Sequence, residues 1–206
     1  MANLDIYLYR MTHMVNIPHI LKYGITHSRS SECNANYVAI GDKSLISSRN
    51  EYLLSNGKEI GSYIPFYFFY RMPMLYVIQK GYNGVDRVEP QEIVYCLLKI
   101  KDVVERDLEF VFTDGHAKNK LSRVYLKTDV DCIDKILDWT AIRSVSWKSE
   151  TDIDLKRRKE AEFLIEEDVP AEIICGFVVY NDEARRKLTE YGINDNKIAI
   201  RPEFYF

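Results

Sequence analysis

The chain alternates between short apolar runs and polar turns, a pattern that predicts many short strands. Runs rich in β-branched and aromatic residues favour strands, and they lie at 6–11, 64–69, 93–100, 161–165, 173–180 and 198–202. Helical spacing of apolar residues predicts helices at 15–23, 74–80, 130–139 and 182–191. The first two predicted helices are followed directly by Gly24 and Gly81, and glycine commonly ends a helix. Because the helices do not fall at regular βαβ spacing, the pattern predicts an α+β domain built on antiparallel sheet.

The segment 26–62 interrupts this pattern. It carries clusters of Ser and Asn with little periodicity. A loop of that length inside a compact domain is usually functional or disordered. No repeat, low-complexity stretch or linker divides the 206 residues, so the sequence predicts one domain over 1–206.

Composition narrows the class of protein. The net charge of −3 argues against a protein coated in nucleic acid, although it leaves room for a local basic groove. The most apolar window, 63–79, contains Arg71 and two prolines and is too short to span a bilayer. The first five residues lack the features of a signal peptide. The four cysteines have no zinc-binding spacing. We therefore expect a cytoplasmic protein with no membrane span and no metal.

Two glutamates, Glu160 and Glu162, stand two positions apart at the start of the apolar run 161–165. In a strand, this spacing directs both side chains to one face of the sheet. Adjacent carboxylates repel each other unless the site needs negative charge. Cleavage of a glycosidic bond is one chemistry that needs it, because positive charge develops on the sugar in the transition state. The pair is therefore a candidate site for that chemistry.

Two basic features can be fitted to an anionic substrate. Arg10, Thr12 and His13 end the first predicted strand and offer groups that can hold a ribose and a pyrophosphate, although such residues are as often simply solvated. Arg49 closes the polar segment. A single loop arginine is most often solvent-facing, but a mobile loop carrying one can fold over an anionic ligand and exclude water.

The run 64–76 is dominated by aromatic residues, and most of it fits a core strand followed by a core helix. One or two of its side chains can instead line a pocket for a flat ring such as nicotinamide, since aromatic faces and Met sulfur pack well on planar heterocycles.

His116 and a basic run complete the candidate set. His116 lies in the polar turn 113–116, where a histidine is more often incidental than catalytic. Lys156, Arg157 and Arg158 directly precede the acid pair. Such a run is usually a solvated face, and in this position it also suits contacts with nucleic-acid phosphates.

In their order along the chain, these features resemble the DarT family of bacterial DNA ADP-ribosyltransferase toxins, which belong to the wider ADP-ribosyltransferase fold. The resemblance covers nearly the whole chain. It rests on four blocks, at 10–13 (RMTH), 63–68 with 73–76 (YIPFYF and PMLY), 110–116 (FVFTDGH) and 161–164 (AEFL). It implies an α+β core of two packed, mainly antiparallel sheets with flanking helices. It also implies that 26–62 is an NAD-closing loop and that about 105–160 recognises the target.

The resemblance further implies a site for NAD as substrate. Arg10, Met11, Thr12 and His13 would bind the adenosine and pyrophosphate side of NAD. Arg49 would close over the dinucleotide, and Tyr67 and Met74 would flank the nicotinamide ring.

For catalysis, the resemblance implies that Glu162 is the catalytic glutamate and that Arg49 also helps to activate the acceptor base. His116 would take part in catalysis and help to present the target nucleotide. Lys156, Arg157 and Arg158 would contact nucleic acid.

The function implied is that of a toxin in a toxin–antitoxin pair, which transfers ADP-ribose from NAD to thymine or guanine in single-stranded DNA. Its partners would be single-stranded DNA and a macrodomain antitoxin, and the protein would be a monomer. In the family, Gln often stands where this chain has Glu160, and glutamate there resembles arginine-modifying enzymes of the wider fold. Transfer to RNA or protein is therefore an alternative. A non-catalytic nucleic-acid-binding module is a third.

Overall fold

The computed structural model describes residues 4–206, with the side chains of 43, 45, 46 and 50 left out. Eight strands lie in this range: β1 Tyr7–His13, β2 Ile64–Tyr67, β3 Ile93–Lys99, β4 Phe110–Thr113, β5 Val124–Leu126, β6 Glu162–Ile165, β7 Gly176–Val179 and β8 Ile198–Ile200. They form one sheet in the order β5-β4-β6-β2-β1-β3-β7-β8. All neighbouring strands are antiparallel except β7 and β8, which are parallel and connected through a helix.

The α+β class and the mainly antiparallel pairing are confirmed, but hydrogen bonds join the two expected sheets into one. The join is narrow. β1 pairs with β3 over all seven of its residues, whereas it pairs with β2 only where Tyr9 lies opposite Tyr67. The two halves of the sheet therefore diverge beyond this point.

Eight helices flank the sheet within the described range: α1 Ile17–Tyr23, α2 Lys43–Asn50, α3 Pro73–Lys80, α4 Ile100–Glu105, α5 Ile133–Ile136, α6 Trp139–Arg143, α7 Leu155–Lys159 and α8 Asp182–Glu190. The sequence pattern predicted α1, α3 and α8. It missed α2 and α7, because each is short and has too few apolar residues to show a helical period. The expectation of a structureless loop over 26–62 is thus wrong in part, since α2 lies inside it. None of the helices between residues 4 and 206 has the length and apolarity needed to cross a lipid bilayer.

The two faces of the sheet carry different cores. On one face, Leu8, Phe66 and Phe163 join the largest buried cluster, which α1, α4, α5, α6 and α8 cover. On the other face, Tyr95 packs with α3 in a smaller cluster. Alternation along β1 therefore divides its residues. Arg10 and Thr12 share the face of Leu8, whereas Tyr9, Met11 and His13 share the opposite face.

Gly24, which ends α1, lies where the chain passes very close to the segment after β6. Its φ is +81°, and a Cβ atom would stand 2.1 Å from the carbonyl oxygen of Val169. The close approach arises because Ile25 pairs with Val169 through backbone hydrogen bonds in both directions. Only glycine fits this contact without a shift of the backbone.

We predict that Gly24→Ala destabilises the fold more than Gly57→Ala. The two positions have nearly equal φ, +81° and +82°, but nothing lies within 4 Å of a Cβ at Gly57. Gly57→Ala should cost about 1 kcal/mol through backbone strain, and Gly24→Ala roughly 1–3 kcal/mol more through overlap with Val169. Urea unfolding of both variants measures the difference. Equal losses would show that the contact with Val169 is easily relieved.

Candidate active site

The carboxylate of Glu162, at the start of β6, is fully buried and accepts three hydrogen bonds. Arg49 of α2 donates from Nη1 to Oε1 over 3.1 Å and from Nη2 to Oε2 over 2.5 Å. The backbone N–H of Ala117 donates to Oε1 over 2.9 Å. The antiparallel register places Glu162 directly opposite Tyr67 of β2. Three segments that are distant in sequence thus meet at one carboxylate.

The turn that follows β4 is built to support this carboxylate. Thr113 is fully buried, and its hydroxyl donates to the carbonyl oxygen of Gly115 over 2.6 Å and accepts from the backbone N–H of Glu162 over 3.2 Å. At Gly115, a Cβ atom would stand 2.5–2.8 Å from atoms of Arg157, so the turn packs directly against α7. The result is a fixed direction for the N–H of Ala117, which points at the carboxylate.

Glu162 remains ionised despite its burial. Burial alone would raise the pKa of Glu162, but the charge and hydrogen bonds of Arg49, together with the N–H of Ala117, outweigh burial and lower it. The same pairing raises the pKa of Arg49 against the effect of its own burial. The Arg49 side chain is 15% exposed, whereas that of Glu162 is 0% exposed. Arg49 therefore covers the carboxylate on its solvent side.

Glu160 does not share the strand with Glu162. β6 begins at Glu162, and Glu160 is the residue that ends α7, with φ −89° and ψ 27°. The expected placement of both carboxylates on one strand face is therefore wrong. Burial first, and then repulsion by Glu162, raise the pKa of Glu160 to about 7, although Lys156 and Arg49 act in the opposite direction. Among residues 4–206 no side chain or backbone group donates a hydrogen bond to its carboxylate.

A cleft of about 580 Å³ opens beside Glu160. Met74 at the start of α3, His116 and Lys156 line it together with Glu160. His116 is half-buried rather than fully solvated as its turn position suggested, and burial lowers its pKa. The N–H of Lys118 donates to its Nδ1 over 3.3 Å, so neutral His116 carries its proton on Nε2. It can therefore donate a hydrogen bond from Nε2.

The expected nucleotide-binding block on β1 divides between the two faces of the sheet. Arg10 donates to the carbonyl oxygen of Pro65 over 2.9 Å, and the buried Thr12 accepts from the side chain of Asn16 over 3.0 Å. Met11 and His13 share the sheet face of Tyr67 and Glu162. Nδ1 of His13 accepts from the N–H of Val15, which begins the turn into α1.

The basic run is largely engaged within the protein. Arg157 binds Asp154 and Asp114, and Arg158 binds three aspartates around it, Asp138, Asp152 and Asp154. Lys156 is exposed and has no ion-pair partner among the described residues. Of the three residues expected to contact nucleic acid, Lys156 is thus the one that is not held in an ion pair within the described range.

The residues that fasten the segment 26–62 could not be identified from the sequence. The buried Asn16 exchanges two hydrogen bonds with the backbone of Val38, of 2.8 and 2.9 Å. Asp168 accepts from the N–H of His27 over 2.7 Å and from the hydroxyl of Ser30 over 2.5 Å. An asparagine four residues after Thr12 is a weak signal that could have been noticed in the sequence. The role of Asp168 could not be predicted, because its partners lie more than 130 residues away in the sequence.

No three His, Cys, Asp or Glu side chains between residues 4 and 206 are grouped as metal ligands.

Comparison with known proteins places this chain in a family. The family described as "ssDNA thymidine ADP-ribosyltransferase, DarT" matches residues 9–206. The chain belongs to the DarT family. The expected enzyme class, an NAD-dependent DNA ADP-ribosyltransferase with NAD as its substrate, is thereby confirmed.

Two relatives illustrate the match. A DNA ADP-ribosyl transferase of Escherichia coli O127:H6 (strain E2348/69 / EPEC) is 31% identical over 97% of this chain and 93% of that protein. A DNA ADP-ribosyl transferase-DNA ADP-ribosyl glycohydrolase fusion protein of Thermosipho africanus (strain H17ap60334) is 27% identical over 97% of this chain. The chain spans about half, 49%, of that fusion protein.

The fold of this DarT-family chain matches solved structures over its full length. Thermus sp. 2.9 DarT in complex with ADP-ribosylated ssDNA superposes with a TM-score of 0.84, at 24% identity, over 100% of this chain and 99% of that one. The same Thermus protein in complex with NAD+ gives a TM-score of 0.81 at 23% identity, with both chains fully covered. These likenesses confirm the ADP-ribosyltransferase-like fold.

We predict that Glu160 makes the stability of this chain depend on pH. Because its pKa in the folded protein, about 7, lies above the ordinary value of 4.5, the folded state binds this proton more tightly than the unfolded chain does. The resulting stability is complete below pH 4.5 and is lost as the pH rises through about 7. The free energy of unfolding of Glu160→Gln minus that of wild type should therefore be roughly 1–3 kcal/mol larger at pH 8 than at pH 5.

Urea unfolding at the two pH values measures this difference. Glu167→Gln, which changes an exposed glutamate near the other end of β6, is the control. If the free energy of unfolding changed with pH by the same amount in Glu160→Gln and in wild type, the raised pKa of Glu160 would be contradicted.

Proposed function

We propose that the protein transfers ADP-ribose from NAD to thymine in single-stranded DNA and acts as the toxin of a toxin–antitoxin pair. The observation that carries the proposal is the buried, ionised carboxylate of Glu162, held by Arg49 and the N–H of Ala117. A fixed negative charge in a site of low dielectric stabilises positive charge that develops on a ribose.

Glu162 has one acceptor position left for the substrate. A carboxylate has about four lone-pair sites, and three are used by Arg49 and Ala117. A ribose hydroxyl of NAD would donate to the remaining site on Oε2. As the bond from the anomeric carbon to nicotinamide breaks, its electron pair leaves with nicotinamide, which departs neutral. The positive charge left on the ribose is then stabilised by Glu162 until a nitrogen of the acceptor base attacks.

Arg49 acts in this scheme as a hydrogen-bond donor. Its raised pKa keeps the guanidinium protonated, so it cannot remove a proton from the base. It would instead donate to a carbonyl oxygen of the base, which makes the neighbouring ring N–H more acidic. Since Arg49 covers Glu162, we propose that α2 shifts when NAD enters and that the segment 26–62 then closes over the dinucleotide.

Glu160 is suited to accept the proton that the attacking nitrogen loses. It lines the cleft, and its pKa of about 7 matches the operating pH of a general base. His116 lines the same cleft and would orient the base by donating from Nε2. The carboxylate of Glu160 then takes the ring proton as the new bond between carbon and nitrogen forms.

The remaining residues of the proposed site bind the substrates. The nucleotide part of NAD would be held by residues of β1. Met11 and His13 would act from the sheet face of Glu162, and Arg10 and Thr12 from the opposite face, where β1 and β2 diverge. Tyr67, opposite Glu162, and Met74, in the cleft, would flank nicotinamide. About 105–160, including His116, Lys156, Arg157 and Arg158, would recognise DNA, with the two arginines shaping the loop rather than pairing with phosphates.

Thymine is proposed as the acceptor because the matching family is described by thymidine; guanine is the other base that fits the same chemistry. A single strand suits the site because its bases need not be flipped out of a duplex. The Thermosipho fusion protein joins a transferase to a glycohydrolase, which supports a macrodomain antitoxin as the partner. We further propose that the protein is a cytoplasmic, bacterial monomer.

We predict that Glu162→Gln lowers transfer at least about 100-fold, because it removes the charge at the ribose and keeps the shape of the side chain. The measurement is labelled NAD with single-stranded DNA, RNA and a protein mixture in separate reactions. Glu166→Gln is the matched control, since Glu166 directly follows β6 and forms an ion pair with Lys58 at the surface. Transfer that survives in Glu162→Gln would overturn the mechanism.

A second candidate function, transfer to RNA or protein, is favoured by Glu160. Its carboxylate lines the cleft where the acceptor enters. If Glu160 selects the acceptor, Glu160→Gln should redirect label among DNA, RNA and protein. If Glu160 instead accepts the proton, the same variant should transfer to DNA more slowly, and the rate of transfer should no longer rise as the pH passes through 7. An unchanged preference and pH profile would exclude both roles. The non-catalytic module is not supported, since the chain belongs to a family of transferases.

A further inference from the structure

A second cleft of about 580 Å³ adjoins the cleft beside Glu160. Pro73, Val77, Asn83 and Lys156 line both clefts. The start of α3 therefore forms a common wall, and a ligand that leaves the first cleft along this wall enters the second. None of the catalytic roles proposed above uses the second cleft.

Aromatic rings line the second cleft. Tyr76 of α3, Trp147 and Phe206 contact one another edge to face, with ring centroids 5.4 Å apart for Tyr76 and Trp147 and 5.7 Å apart for Trp147 and Phe206. We call these three residues the aromatic shelf. The Arg71 guanidinium lies 4.4 Å from the Phe206 ring centroid. Trp147 is thus held in orientation by neighbours on two sides while it remains partly exposed.

Among the described residues, the charged side chains that line the second cleft are both lysines. Lys148 and Lys156 are exposed in its wall, and its lining contains no aspartate or glutamate side chain. The chain as a whole has a net charge of −3, so this surface departs from the average. Aromatic faces beside lysines are the combination that proteins use to bind single strands, because every base has a face that can stack and every nucleotide carries a phosphate.

We propose that the aromatic shelf is a subsite for the DNA substrate, in which a base next to the modified nucleotide stacks on Trp147 while Lys148 and Lys156 contact phosphates. The proposal rests on the proposed function, because the strand is taken to reach the shelf from the cleft beside Glu160. The proposal also supplies positive charge for the DNA phosphates. Arg157 and Arg158 are held in ion pairs with aspartates, so the exposed lysines beside the shelf take this role.

A binding experiment without turnover tests the stacking role. In a Glu162→Gln background, fluorescence anisotropy compares two labelled oligonucleotides that contain one thymine, flanked either by adenines or by abasic nucleotides. Both carry the same phosphates, so the ratio of their affinities reports on contacts with the flanking bases, and the Trp147 variants show how much of it is stacking. We expect at least about tenfold tighter binding with adenines, and Trp147→Ala should abolish most of this ratio. Trp147→Phe should keep part of it and so reports on folding.

Matched controls separate stacking from general surface effects. Tyr23 is 38% exposed, has a lysine, Lys22, 4.6 Å from its ring centroid and lines neither cleft; Tyr23→Ala should leave the ratio unchanged. Lys148→Ala should lower the slope of log affinity against log salt by about 0.7 without changing the ratio. Lys22→Ala is its control and should leave the slope unchanged.

The outcomes are distinguishable. A ratio that survives in Trp147→Ala, or that falls equally in Tyr23→Ala, overturns the subsite. Self-association of the wild-type protein that Trp147→Ala abolishes, with no effect on the ratio, would make the shelf an interface between copies and also overturn it. If the ratio depends on Trp147 but the wild-type protein transfers nothing to DNA, the subsite stands and the proposed function fails.

Discussion

The burial of one ionised carboxylate, that of Glu162, is the constraint on which the rest of the site depends. A buried charge without partners would be far too costly to keep, so the protein must bring donors to it. Arg49 comes from α2, the N–H of Ala117 comes from the turn after β4, and β2 provides the opposite strand. Of these segments, α2 has little apolar surface of its own, so its ion pair with Glu162 is a main attachment to the rest of the protein. The electrostatics of one residue thus organise the surrounding loops.

The same demand explains how α2 is held against the protein. Arg49 reaches Glu162, and the neighbouring Ser48 accepts a hydrogen bond of 2.7 Å from Lys118 in the turn after β4. Asn16 and Asp168 fasten the earlier part of the segment 26–62 at Val38, His27 and Ser30. Most of these contacts are polar, so a substrate that offers its own donors and acceptors can replace them, and the ribose and phosphates of NAD would have to compensate for any shift of Arg49 away from the buried Glu162. This polar attachment is compatible with the closing movement proposed for the segment 26–62.

The division of charge between interior and surface has consequences for substrate binding. The three basic residues 157–159, which lie just before Glu162 in the sequence, form contacts within the fold. Arg157 and Arg158 bind aspartates, and the buried Lys159 donates to the carbonyl oxygens of Ile142 and Ser144. Burial, and then the charge of Arg71, lower the pKa of Lys159 to about 8. Exposed lysines such as Lys156 would therefore provide the positive charge that binds a DNA strand. Lys156 lines the second cleft together with the aromatic shelf, on which the bases would stack.

The sequence by itself determined those elements that bury a regular apolar face, and it indicated the chemistry. Its apolar periods predicted β1, β3, β6, α3 and α8 close to their observed bounds, because these elements bury a regular face. Its ordered blocks indicated the family and singled out Glu162. The sequence showed that two acids and a basic run lie close together along the chain. It did not show which of these side chains are buried or which form ion pairs.

Tertiary structure alone decided which candidates meet. It placed Glu160 at the end of α7, outside the strand, and gave Arg157 and Arg158 to aspartates. It also set the faces of β1 and created the aromatic shelf from residues 59 and 71 positions apart in sequence, counting from Trp147 to Phe206 and from Tyr76 to Trp147. The physical reason is that period and propensity act within a few residues. Burial, ion pairing and ring contacts depend on segments that only the folded sheet brings together.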